Sequence, residues 1–276
     1  MLQFFNHCAD IARFLRFSTR FIVAVFAIFA LSLQARAADV AVTLPPLAGL
    51  VSVLDPSVTS LCLLKRGADP HHFQLSPHNL EALQQSRLLI RSSMDDGGWP
   101  LPPSHDNTLD LWPQTSHGWL SPKQVKAILP TLSMALIRLN PDHEASIREN
   151  LAISLRRTDL LARKWKKVLQ GTPAVIMQHP SWLPMMQELD IPVLAILESE
   201  KHGHETGPHH LEEALAALNK HPATLLLADL AHSPRPLNWL ARHAIKPPRQ
   251  ITLDPLGSCG EPWDRLMQQN LERFRP

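Results

Sequence analysis

Fifteen histidines stand against three cysteines and no tyrosine in 276 residues, so imidazole is the side chain most available for chemistry. Four short segments each carry a metal-ligand type of residue: Asp69-Pro70-His71-His72-Phe73, His117-Gly118-Trp119-Leu120-Ser121-Pro122, Gln178-His179-Pro180 and Leu253-Asp254-Pro255-Leu256-Gly257. Each falls at the carboxyl end of a strand-like run or in the loop after it. In open parallel sheets, ligands bind just outside those strand ends. Three neutral imidazoles and one carboxylate make a sound tetrahedral zinc set, with Zn–N near about 2.0–2.1 Å. Any one of these histidines alone reads as an ordinary surface or capping residue. Four ligand-type residues at equivalent strand ends point to a metal site.

A second cluster runs from Glu198 to His210, ESEKHGHETGPHH. It imitates two hydrolase patterns and satisfies neither. A zincin needs His-Glu-x-x-His on one helical face, whereas His204 and His209 are separated by Gly207-Pro208. A His-x-His-x-Asp-His pattern matches at His202 and His204, then fails at Thr206 and Gly207. The cluster reads as a loop that could hold an accessory metal ion through His202, His204 and Glu205. The alternative is a solvated loop leading into a helix. His221, His232 and His243 read as surface residues, and His72 and His78 as second choices for a ligand. The seven tryptophans read as core or hinge packing, with Trp119 and Trp182 placed to wall a metal from water. Met177, Met185 and Met186 read as core.

The elements that must position these groups alternate between strand and helix. Val40–Leu44, Ser60–Leu64, Leu88–Ile90, Ala174–Met177, Val193–Ile196, Thr224–Ala228 and Gln250–Leu253 are short β-branched or apolar runs. Between them, Ser76–Gln85 is a helix with a serine cap and Pro77 in its first turn. Ser121-Pro122 opens another helix to about Leu139, and Leu211–Lys220 and Leu237–His243 are two more. Met94 to Ser116 is rich in Gly, Pro, Asp and Asn and reads mostly as loop around Leu109–Leu111. From Pro141 to Gln170 there is no glycine and no internal proline, and Ile147, Leu151, Leu155, Leu161, Trp165 and Val168-Leu169 recur at helical spacing. The expected fold is α/β: two lobes, each a mostly parallel sheet flanked by helices, joined by one long rigid helix. The expected divisions are 38–140 for the first lobe, 141–170 for the linking helix and 171–276 for the second.

Residues 1–37 have the form of a cleaved signal peptide. Arg13, Arg16 and Arg20 precede the apolar run Phe21–Leu33, and Ala35-Arg36-Ala37 is a small-x-small site. The run is short of the roughly 20 residues a membrane span needs; the other reading is a retained signal-anchor. With export, charge changes sign. Residues 1–37 hold four of the 27 Lys and Arg and one of the 25 Asp and Glu, leaving 23 positive against 24 negative side chains. That balance offers no basic surface for nucleic acid. Cys8 departs with the signal, so Cys62 and Cys259 remain in an oxidising compartment, either bridged or as two buried thiols.

With those residues in view, the chain resembles the zinc/manganese solute-binding proteins of bacterial ABC transporters, the ZnuA/TroA-like group. VAVTLPPLAGLV resembles the family's first strand and following helix, GADPHHFQLSPHNLEALQQSRLLI its most specific stretch, HGWLSP its second ligand motif and TLDPLGS its last. The resemblance implies a metal site of His71, His117, His179 and Asp254, within the two-lobed fold already expected. It departs in two places. Only 22 residues separate Met94 from His117, with His105 the one histidine among them, where the family carries a helix and often a His/Asp-rich loop. After His179 comes Pro180-Ser181-Trp182 in place of the family's His-Asp-aromatic, so the carboxylate that would support that imidazole is expected to be absent.

The resemblance implies a periplasmic, non-enzymatic solute-binding component. It would capture Zn2+ as cargo in the interlobe cleft and deliver it to an inner-membrane ABC permease with its ATPase, acting as a monomer. Histidine at the third position favours zinc, since oxygen-rich six-coordinate sites suit manganese. The other readings are a binding protein for manganese or another divalent metal, a metal-dependent adhesin of the same fold, and, more remotely, a secreted zinc hydrolase. A hydrolase keeps one coordination position open for water, which three histidines and Asp254 would close.

Overall fold

The computed structural model describes residues 38–68, 70–101, 107–198 and 207–275, with the His71 side chain left out. The signal peptide over 1–37, His105, and the accessory ligands His202, His204 and Glu205 lie outside the described residues.

Two four-stranded parallel sheets carry the fold. The first holds β1 (Val40–Val42), β2 (Ser60–Cys62), β3 (Leu88–Ser93) and β4 (Thr108–Trp112); the second holds β5 (Val175–Met177), β6 (Val193–Ile196), β7 (Leu225–Asp229) and β8 (Gln250–Leu253). Their strand orders are β2-β1-β3-β4 and β6-β5-β7-β8, so the two lobes repeat one topology. All pairings are parallel, with Val40 opposite Leu88 and Val175 opposite Leu225. In each sheet the order reverses between the two central strands, which opens a crevice at their carboxyl ends.

The helices are α1 (Pro45–Leu54), α2 (Pro77–Gln85), α3 (Pro122–Leu139), α4 (Glu144–Leu169), α5 (Leu183–Glu188), α6 (Pro208–Lys220), α7 (Arg235–His243) and α8 (Trp263–Glu272). Ser76 and Ser121 cap α2 and α3 by accepting the Asn79 and Gln124 N–H groups, and each is followed by proline. The long helix is α4. Its 26 residues span about 39 Å, and the turn Pro141–His143 leads into it. Ile147, Leu161, Trp165 and Leu169 are buried, Leu151 and Leu155 pack against the core, and Val168 faces solvent.

Helix α4 is stitched to both lobes. Asn150 Nδ2 donates to the Leu54 carbonyl at 3.0 Å in the first lobe. Further along, Trp165 is fully buried against Trp182 and Phe274 of the second lobe, both with ring centroids at 5.5 Å. Helix α1 is apolar all round, as a helix buried between layers must be. At Gly49 its backbone lies so close to the Glu261 carbonyl that a Cβ would collide with it. One continuous hydrophobic core therefore runs from Val40 and Leu47 to Trp263 and Met267.

Four further links cross between the lobes. Trp119 Nε1 donates to the Pro255 carbonyl and Trp263 Nε1 to the Trp119 carbonyl, each at 2.7 Å. Ser121 Oγ donates to Glu188 at 2.6 Å. Cys62, at the end of β2, and Cys259, beyond β8, form a disulfide across 197 residues. Of the two states open for these cysteines, the bridged one holds.

One expectation needs correction. The stretch read as loop around Leu109–Leu111 is strand β4, at the edge of the first sheet. Thr108 and Asp110 share its exposed face and alternate with Leu109 and Leu111, so the apolar signal in this five-residue strand is short.

Candidate metal centre

His117 follows β4 and sits in the left-handed region at φ 54° and ψ 31°. A non-glycine residue there is uncommon and persists only where its surroundings hold it. Asp95 holds it: both carboxylate oxygens accept the His117 backbone N–H, at 3.0 and 3.2 Å. Gly118 follows because the Trp112 ring occupies the space a Cβ would need. His179 follows β5 and precedes the turn Pro180–Trp182. The two imidazoles, each almost fully buried, meet edge to face with ring centroids 5.2 Å apart. Both line one cavity together with Pro70, Asp95, Trp119, Ser181, His232 and Leu256. Its volume is about 10 Å³, room for one water-sized species.

Both rings are oriented by the same device. Ser116 Oγ donates to Asp95 at 2.6 Å and lies 2.7 Å from His117 Nδ1. Ser181 Oγ donates to Asp229 at 2.5 Å and lies 2.8 Å from His179 Nδ1. A hydroxyl has one proton, and here the carboxylate takes it. The serine oxygen must then accept from the ring, which fixes the Nδ1–H tautomer and puts the lone pair on Nε2. Carboxylate-supported imidazoles of this kind are the usual setting of metal-ligating histidine. Asp95 follows β3 and Asp229 ends the topologically equivalent β7, so the repeat in the fold carries a repeat in the chemistry.

Burial dominates the electrostatics of both carboxylates. It raises Asp95 above the ordinary aspartate value, against hydrogen bonds from Ser116 and the His117 N–H that act the other way. It pushes Asp229 up to about 7, with Ser181 and then His232 pulling it down and Glu198 pushing it up. A cation in the cavity would favour the ionised carboxylates and the neutral imidazoles. Taking up a metal therefore releases protons wherever the pH lies near or below about 7.

The remaining residues expected at the site fall as follows. His71 lies in the turn Pro70–His72 beside the cavity-lining Pro70, and its side chain is outside the described ones. Asp254 is not among the described residues that line the cavity, although its neighbours Pro255 and Leu256 are. Its Oδ1 accepts the N–H groups of Leu256 and Gly257, at 3.0 and 2.8 Å, which shapes the loop after β8. Trp119 walls the cavity, while Trp182 and the three methionines are core. His72, His78, His221 and His243 are exposed.

Two expectations are overturned here. The carboxylate expected to be absent beside His179 is present: Asp229 supplies it from β7, reached through Ser181. His232, read as a surface residue, lines the cavity and stacks on His179 with centroids 4.4 Å apart and planes 16° apart. Asp95, Asp229 and His232 all lie at or just after the carboxyl end of a strand. The rule that picked out His117 and His179 would have found them had it been applied to every strand.

The sequence profile of the family described as zinc-uptake complex component A, periplasmic, matches residues 102–275. A Thermotoga maritima protein provisionally assigned as metal-binding is 26% identical over 232 residues, which cover 79% of this chain and 84% of that protein. The crystal structure of ZnuA aligns with a TM-score of 0.71 at 20% identity, covering 86% of this chain and 98% of that one. The SBP FpvC of Pseudomonas aeruginosa, in complex with Mn2+, aligns with a TM-score of 0.70 at 15% identity, over 85% and 96%. At such identities these two structures bear on the fold.

Proposed function

The chain belongs to the family of periplasmic zinc-uptake component A proteins, metal-binding solute-binding proteins, and from that premise we propose that its cargo is Zn2+. The supporting observation is the facing pair His117 and His179 in a cavity the size of one ion, each ring turned by a serine–aspartate pair to present Nε2. Imidazole-rich, compact sites suit zinc better than manganese, which prefers oxygen ligands in a six-coordinate shell. In this reading His117 and His179 are joined by His71 from the turn after β2 and by Asp254 from the loop after β8. The ion is passed to an inner-membrane ABC permease with its ATPase. Residues 1–37 direct export and are removed, leaving a periplasmic protein of two lobes, 38–140 and 171–276, with the linking helix over 141–170.

A hydrolase is disfavoured by size. Pockets that hold small organic substrates enclose roughly 300–1,000 Å³, whereas this cavity offers about 10 Å³. Metal analysis followed by competition titration against a chromophoric chelator tests the proposal. One tight zinc per chain, with manganese bound far more weakly, is the expected result. Absence of a tight divalent site would refute it.

The same reading sets a pH dependence. Ordinary imidazoles carry a proton below about 6.5, and Asp229 holds one below about 7. Protons compete with the ion on several groups at once, so affinity is lost as pH falls. Between pH 7.5 and 5.5 zinc affinity should drop by more than about one decade per pH unit, with the far-ultraviolet circular dichroism unchanged. A flat affinity–pH curve from the same competition titration would contradict the histidine site.

A further inference from the structure

His232 is a half-buried imidazole at the cavity that the family's ligand pattern does not use. We propose that His232 is a ligand of the captured ion, supplied by the loop after β7, and that it makes the site richer in nitrogen than the ligand set His71, His117, His179 and Asp254. The inference rests on the zinc-binding reading of the cavity and names a further residue of that site.

Three observations carry it. The first is position. His232 lines the same cavity as His117 and His179 and stacks on His179 at 4.4 Å. His179, Asp229 and His232 form a group, among the described residues, whose ligand atoms all lie within 4.8 Å of one another. Two imidazoles on one tetrahedral zinc hold their nitrogens about 3.3 Å apart, given Zn–N near 2.0–2.1 Å. Binding thus asks the His232 ring to turn out of its stack on His179, so that both ring planes meet at the ion.

The second observation is orientation. His232 Nδ1 lies 3.0 Å from Glu198 Oε2. The ring donates its Nδ1–H to that carboxylate, and the lone pair falls on Nε2, as in His117 and His179. Three cavity imidazoles thus share one tautomer, each set by a carboxylate: Asp95 and Asp229 through serine, Glu198 directly. A surface histidine needs no such support.

The third is that the support is itself anchored. The Gln178 side chain, fully buried, donates from Nε2 to Glu198 Oε1 at 3.1 Å and to the Ser233 carbonyl, and its Oε1 accepts the Asp229 N–H at 3.4 Å. Gln178 belongs to the same segment as His179, so one strand end positions His179 and, through Glu198, His232. Asp254 is placed differently. Its Oδ1 is engaged by two backbone N–H groups of its own loop, and it does not line the cavity.

The chemical consequence concerns selectivity. Each imidazole in place of an oxygen ligand moves a site toward zinc and away from manganese. The test uses the mature chain loaded with one equivalent of Zn2+, in the unmutated form and as His232→Ala, His232→Gln, Asp254→Asn and His117→Ala. Zinc K-edge absorption counts the coordinated imidazoles, and chelator competition gives the affinity. His232→Ala and His232→Gln should each lose one imidazole from the count and bind zinc about 10–100-fold more weakly, and a further variant, His232→Asp, should lower the zinc-to-manganese preference by at least about tenfold. His232→Gln can still donate toward Glu198, so matching losses in the alanine and glutamine variants report coordination and not loop collapse. An unchanged imidazole count and affinity in both variants, with binding still lost in His117→Ala and weakened in Asp254→Asn, would overturn the inference and leave the zinc reading standing. If His117→Ala also bound zinc normally, the zinc reading itself would fall.

Discussion

Replacing either His117 or His179 by alanine should weaken zinc binding by at least about 100-fold while the protein remains folded. Loss of a supporting outer-shell group alone typically costs 10–100-fold in metal affinity, and a lost ligand must cost more. Each variant removes one of two facing imidazoles in a cavity with room for one small species. Each also leaves a serine–aspartate pair without the ring that it orients. A chelator competition titration reads the affinity, and far-ultraviolet circular dichroism of the metal-free variants reads the fold. Ser181→Ala, which breaks the relay to Asp229 and keeps the ring, should fall between these variants and the parent.

The second large effect is on stability. Reducing the Cys62–Cys259 disulfide, or replacing both cysteines by serine, should lower the unfolding free energy by up to about 5 kcal/mol. That figure is the chain-entropy value for a loop of this length, set by the 197-residue separation. Few other single linkages in the chain could match it. The bridge ties the end of β2 in one lobe to the segment beyond β8 in the other, so it constrains nearly the whole unfolded chain. Denaturant unfolding with and without reductant measures the change. Equal midpoints in the two conditions would show that the bridge does not form. The shared core, the Gly49 contact and the two tryptophan hydrogen bonds should hold the lobes together in the reduced protein at low denaturant.

Some of this was legible in the residues and some was not, for separable reasons. The strand–helix alternation and the break-free run before Gln170 announced two parallel sheets and one long helix, because periodicity and proline placement are local signals. His117 and His179 were legible for the same reason: each follows a strand-like run. Asp229 and His232 stand at and just after the end of β7, a strand to which the strand-end rule was not carried. The run read as ending at Ala228 ends one residue later, and that residue is the carboxylate. Strand β4 was hidden because it is short and its exposed face carries Thr108 and Asp110.

Other features had no local signal at all. Ser116 and Ser181 are unremarkable neighbours of their histidines until the fold brings Asp95 and Asp229 behind them, 21 and 48 residues away in sequence. The pairing of Cys62 with Cys259 depends on how two separate sheets meet. The family's motif placed a supporting carboxylate directly after His179. Here the third dimension supplies it, so its absence from the motif was no guide to its absence from the site.

In the zinc reading proposed above, a single ion is held between the carboxyl ends of the two sheets by His117 and His179. Crystals grown with one equivalent of Zn2+, measured on both sides of the zinc edge, test it most directly. The account predicts one strong anomalous peak in the cavity, within about 2.0–2.1 Å of Nε2 of both His117 and His179. A peak bound through Nδ1, or zinc found only outside that cavity, would contradict it.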